Sequence, residues 1–149
     1  NKFPAVVYKE IKVLKKKVNE NSLYSSLEYG RAVISVEAVF KKIKGILCDY
    51  ELCDGNITTI YSLSAEEFIM EKVDTYLKRL KIRDLWDIFF LLSKTQNPEG
   101  LRPVLAKLIN NYKEPIDEPD LKSIILEGVV PSSKEMMVYI KDKWQRLNI

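Results

Sequence analysis

The chain has 149 residues, of which 46% are hydrophobic and 30% charged, with Lys+Arg 24 against Asp+Glu 21 and a formal net charge of +3; the length and composition fit one globular domain or one compact piece of a larger one, and the mild excess of cations permits a polyanionic partner without indicating one. There is no histidine, which excludes His-based triads and the common His-containing metal sites. Cys48 and Cys53 make no zinc pattern and fit a reducing cytosol, with a local disulfide as the alternative, and no apolar run approaches the roughly 20 residues that span a bilayer.

In chain order, Val7, Ile11, Leu14 and Val18 fall at the spacing of one helix face, so residues 4–18 are expected to form a helix. Pro4 suits its first turn, and Lys15, Lys16 and Lys17 suit its C-terminal end or a phosphate contact. Residues 19–22 read as a loop. Two strands follow around Gly30, Tyr24–Tyr29 and the β-branched Ala32–Phe40. Glu37 is the one charge inside the second strand. Ile46–Leu52 and Ile57–Tyr61 read as a further pair of strands across the hairpin signal Asp54-Gly55. Asp49 and Glu51 share a strand face at the spacing of a metal-binding pair, but are read as exposed strand charges.

The second half is helical. Ser64 with Glu67 makes a capping box before an apolar stripe of Phe68, Ile69, Val73, Tyr76, Leu77 and Leu80. After a charged corner, Leu85, Ile88, Phe89 and Leu92 give a second stripe. Asn97-Pro98-Glu99-Gly100 breaks the chain, and a third helix is expected over about 100–112. The acidic, Pro-punctuated stretch 113–119 is a loop, Leu121–Leu126 a short helix, and Ser132 with Glu135 opens a last helix carrying Met136, Met137, Ile140, Trp144 and Leu147 on its apolar side. The fold class is therefore α+β: a small, mainly antiparallel sheet in the N-terminal half, packed with a C-terminal helical bundle. The organisation expected is 1–61 and 62–149 within one compact unit.

Within the helical half, Leu63-Ser64-x-Glu66-Glu67, Glu71-Lys72 and Arg83-Asp84-Leu85-Trp86-Asp87 together resemble the signature of the AbiE-type abortive-infection toxin family of nucleotidyltransferase-like proteins. The resemblance implies a DNA polymerase β-like fold, with residues 1–61 as a partial nucleotidyltransferase-like part. It also implies NTP as substrate, RNA as acceptor (in some members the tRNA 3′ end), Mg²⁺ or Mn²⁺ as cofactor, and a separate antitoxin protein as partner. On this reading Asp84 and Lys72 are catalytic candidates, and Arg83 and Lys72 bind phosphate. Asp87 and Glu71 support them, and Glu37 is a candidate third metal carboxylate. Taken locally, Arg83 and Asp87 instead make an i, i+4 pair and Asp84 caps its helix. The family's Gly-Ser followed by Asp-x-Asp has no counterpart here. Either it lies upstream of Asn1, as a start at Asn and not Met suggests, or this is a degenerate member that serves as a non-catalytic protein or nucleic-acid binding module.

Overall fold

The computed structural model describes residues 11–42, 45–125 and 128–147. Contacts divide the chain into two compact units, Asn1–Ile43 and Lys44–Ile149. Small antiparallel sheets come first and helices follow, which is the expected α+β class.

The first unit holds a three-stranded antiparallel sheet, β1 (Ile11–Val18), β2 (Ser22–Tyr29) and β3 (Ala32–Val39), in that spatial order. β1 corrects the helix expected over 4–18, of which the part before Ile11 lies outside the described residues. The physical reason is a bulge. Ile11 and Val13 pair with Tyr29 and Leu27, the register shifts between Val13 and Lys15, and Lys16 and Val18 pair with Ser25 and Leu23. The extra residue, Leu14, moves the positions that share a face with Leu27 from odd to even, so a strand alternation is broken into what reads as 3-and-4 spacing. β2 and β3 join through Gly30-Arg31, with Tyr29 opposite Ala32 and Gly30 at φ +59°, a conformation glycine adopts without the clash a Cβ brings. Pairing puts Val13, Val18, Leu27, Ile34 and Val36 on one face and Lys12, Lys15, Lys17, Glu28 and Glu37 on the other.

The second unit opens with a hairpin, β4 (Ile46–Glu51) and β5 (Ile57–Ser62). Its turn is closed by Asp54, whose Oδ1 accepts from the Asn56 N–H at 3.0 Å, with Gly55 at φ +81°. Cys48 and Cys53 are free thiols. Five helices follow: α1 (Ala65–Arg79), α2 (Ile82–Leu92), α3 (Arg102–Asn111), the single turn α4 (Leu121–Ile124) and α5 (Ser133–Arg146). A 3-10 turn, Pro98–Leu101, leads into α3. Both expected capping boxes form, Ser64 with Glu67 on α1 and Ser132 with Glu135 on α5.

The core sits among the helices. Ile69, Val73 and Tyr76 of α1 meet Leu85, Ile88 and Leu92 of α2, Leu105 and Leu108 of α3, and Met136 and Ile140 of α5. The Tyr76 hydroxyl, buried on α1, donates to the Lys113 carbonyl at 2.6 Å and ties the loop after α3 to the bundle. Burial, first, and the neighbouring Tyr112 raise the Tyr76 phenol above its ordinary pKa, which keeps it protonated as a donor at neutral pH. Leu105 is fully buried. Leu105→Ala is therefore expected to cost about 2–5 kcal/mol in urea unfolding, whereas the same change at exposed Val138 is expected to stay within about 0.5 kcal/mol.

Candidate functional site

The corner between α1 and α2 is two residues long, Leu80 and Lys81. Leu80 takes the left-handed conformation, φ 53° and ψ 40°, and its N–H donates to the Tyr76 carbonyl at 2.7 Å. A non-glycine residue there costs roughly 1–2 kcal/mol. The cost is offset by what the corner achieves: the last turn of α1 lies against the first turn of α2. Arg79 and Asp84, five residues apart, meet there. Arg79 Nε donates to Asp84 Oδ2 at 2.6 Å and Nη2 to Oδ1 at 2.7 Å, a two-pronged contact. Lys72, seven residues before Arg79 and so on the same side of α1, donates to Asp84 Oδ1 at 3.3 Å and pairs with Asp87 Oδ2 at 2.5 Å.

Asp84 is wholly buried, while the side chains of Arg79 and Lys72 remain 41% and 30% exposed. Burial alone pushes the Asp84 carboxyl up. The hydrogen bonds and charges of Arg79 and Lys72 outweigh it and hold the group below its ordinary value of 3.8. The Arg79 guanidinium moves the opposite way, mainly through the hydrogen bond to Asp84. A buried carboxylate thus grips two cations from behind and leaves their outer sides open to a ligand.

The expected site residues separate into groups. Lys72, Asp84 and Asp87 are in direct contact. Arg83, next to Asp84 in the first turn of α2, is exposed and makes no ion pair among the described residues; the local Arg83–Asp87 pairing is replaced by Lys72–Asp87. Asp84 does not cap α2. That task falls to Asp117, whose Oδ1 accepts from the Ile82 N–H at 2.8 Å while its Oδ2 lies 3.4 Å from Lys81. Glu71 is exposed on α1, and Glu37 is exposed on β3 in the first unit. Sequence reasoning missed Arg79 and Asp117. The signal for Arg79 was there, a cation two helical turns beyond Lys72. Asp117 comes from 35 residues away and gives no local sign.

No three acidic or thiol side chains gather to hold a metal ion among the described residues. Asp49 and Glu51, exposed on β4, are no exception, and Asp49 is engaged by the Thr59 hydroxyl at 3.1 Å. The described side chains therefore do not fit the divalent ion that the sequence resemblance implies.

The model of the family described as nucleotidyl transferase AbiEii toxin, type IV TA system, matches residues 13–146. The chain belongs to that family. Neither the curated proteins nor the solved structures give a significant match. Membership in the AbiEii toxins implies a nucleotide substrate and an antitoxin partner. Among the described residues no helix is long and apolar enough to cross a membrane.

Because the folded carboxyl of Asp84 titrates below its unfolded value, its stabilising contribution is present above about pH 4 and is lost as pH falls through the folded value. Thermal melts from pH 7 to 2.5 are expected to show an acid loss that is smaller in Asp84→Asn than in the wild type. At pH 7, Asp84→Ala is expected to cost about 2–3 kcal/mol, less than the roughly 3–5 kcal/mol of a fully buried pair because both cations keep one side in water. An unchanged melting curve at both ends of the range would show that Asp84 does not hold the corner.

Proposed function

We propose that this AbiEii-family chain binds the phosphates of an NTP on the outer sides of Lys72 and Arg79, as part of a nucleotidyl transfer from NTP to RNA. The observation that supports the reading most is the wholly buried Asp84 between two half-exposed cations. An apolar residue would hold two helices as well as a buried charge does. A fixed pair of cations, by contrast, offers a forked guanidinium and a point charge to a polyphosphate at no cost in ordering them.

On this reading Asp84 is a positioning residue. It fixes the rotamers of Arg79 and Lys72, and Asp87 shares Lys72 with it. Lys72 and Arg79 hold the triphosphate and stabilise charge on the departing pyrophosphate. Arg83 lies toward the acceptor. Mg²⁺ or Mn²⁺ is the cofactor of the family's chemistry, and the roles given to Lys72, Arg79 and Asp84 do not depend on it. The acceptor is RNA, with a tRNA 3′ end as the first to test.

A second reading is a non-catalytic module that binds nucleotide or its antitoxin on the same scaffold. It is favoured by the lack of a carboxylate cluster among the described residues. Labelled NTP, total RNA and Mg²⁺ or Mn²⁺ separate the two. Transfer predicts labelled RNA, with labelling and triphosphate affinity both lowered about tenfold in Lys72→Ala, the loss expected for one charged contact. Triphosphate binding without labelling supports the module. Triphosphate affinity equal in wild type and Lys72→Ala removes Lys72 and the proposed site.

A further inference from the structure

At the edge of the core, α2 carries an aromatic array in which Trp86 and Phe89 are half-buried and Phe90 is exposed. Leu85, Ile88 and Leu92 point inward and are buried. Arg83, Trp86 and Phe90, spaced by three and four, run along the other side. Phe90 is 49% exposed on a helix whose buried positions are filled by Ile82, Leu85, Ile88, Leu92 and the carboxylate of Asp84. Its ring is stacked beside Trp86, with centroids 6.4 Å apart and planes 22° from parallel. Trp86 is braced in turn by Phe89 at 5.5 Å, and Phe89 packs edge-on against Tyr139 of α5 at 5.0 Å. The ring that water meets is therefore backed by three others that reach into the bundle.

Cations flank this aromatic array. Lys94 Nζ lies over the Phe90 ring at 5.7 Å, and Lys143 Nζ over the Tyr139 ring at 5.4 Å. Arg83 stands two turns before Phe90, without an ion pair among the described residues. Asp87, on the same side of α2, is already matched by Lys72. An exposed aromatic face with a positive charge at each end is a poor surface for lipid or for a purely apolar peptide. It has the two features a single-stranded nucleic acid uses: π-faces for its bases and cations for its phosphates.

We infer that the Arg83–Trp86–Phe90–Lys94 face of α2 binds single-stranded RNA, with one base stacked on the Phe90 ring and the adjoining phosphates on Lys94 and Arg83. In the free protein Lys94 covers the ring by a cation–π contact. The base takes that place, and the ammonium swings onto the phosphodiester. The inference deepens the proposed function by assigning the acceptor its own binding face, on the helix that also carries Asp84. It stands on observations separate from those for the triphosphate.

The test uses the whole chain and fluorescein-labelled decamers of uridylate and adenylate, read by fluorescence anisotropy at low salt. Wild type is expected to bind both, since stacking tolerates any base. Phe90→Ala is expected to weaken binding at least about tenfold, and Phe90→Tyr, which keeps the ring, to stay within about threefold. Lys94→Ala is expected to flatten the dependence of log affinity on log salt by about 0.7, one phosphate of a single strand. Phe90→Ala should leave the melting temperature and the triphosphate affinity unchanged, so failure of the triphosphate site and failure of this face are read separately. Decamer affinity equal in wild type and Phe90→Ala, or no decamer binding by wild type, overturns the inference. The second outcome leaves a protein partner as the occupant of this face.

Discussion

The buried carboxylate of Asp84 is the constraint on which the helical unit turns. An ionised group with no exposed surface must be matched by cations, or the corner between α1 and α2 opens. Arg79 and Lys72 supply the match from α1, one through a fork and one as a point charge. The left-handed Leu80 is tolerated because it delivers Arg79 to that carboxylate, and the Leu80 carbonyl is satisfied by the Ile116 N–H at 3.0 Å. Asp117 closes the same corner from a distant loop by capping α2 at Ile82. Strain, ion pair and remote cap thus converge on a few residues, which is where a fold holds side chains in one geometry for a ligand.

The corner also organises the surface around it. Once α2 is set against α1, its aliphatic stripe enters the core and the opposite stripe, with Arg83 and Phe90, faces outward. The half-exposed cations of α1 and the aromatic face of α2 are then carried by two helices joined at that corner. A polyphosphate and a nucleic-acid strand are different ligands with one shared property, dense negative charge. A chain whose overall charge is nearly balanced can recognise both only by concentrating cations locally, as it does around α2.

Much of this was legible in the residues because its causes are local. The capping boxes at Ser64 and Ser132 form because the carboxylate needed at N3 is three residues away, and the hairpin at Asp54-Gly55 because turn and strands are contiguous. The helical stripes fell at 3-and-4 spacing and went to the core, except Phe68, which was expected on the inner face of α1 and is exposed. β1 was misread for an equally local reason: one inserted residue at Leu14 turned an alternating pattern into a helical one. The contacts that could not be read are those between segments. Arg79 with Asp84 depends on the left-handed turn at Leu80, a conformation leucine does not announce. Asp117 reaches its N–H only after α3 has been built. Of the expected cluster of Lys72, Arg83, Asp84 and Asp87, Lys72 reaches both carboxylates because they lie on the adjoining helix, and Arg83 joins neither. Glu37, expected beside a metal, sits in the other unit on an exposed strand.

The central claim is that Asp84 acts on triphosphate through the cations it holds. A double-mutant cycle measures this directly. Triphosphate affinity is compared for Asp84→Asn in the wild type and in the Lys72→Ala, Arg79→Ala background, at a temperature where circular dichroism shows every variant folded. The account predicts a loss of about tenfold in the first background and almost none in the second, because Asp84 then has no cation left to position. An equal loss in both backgrounds, or none in either, would contradict it.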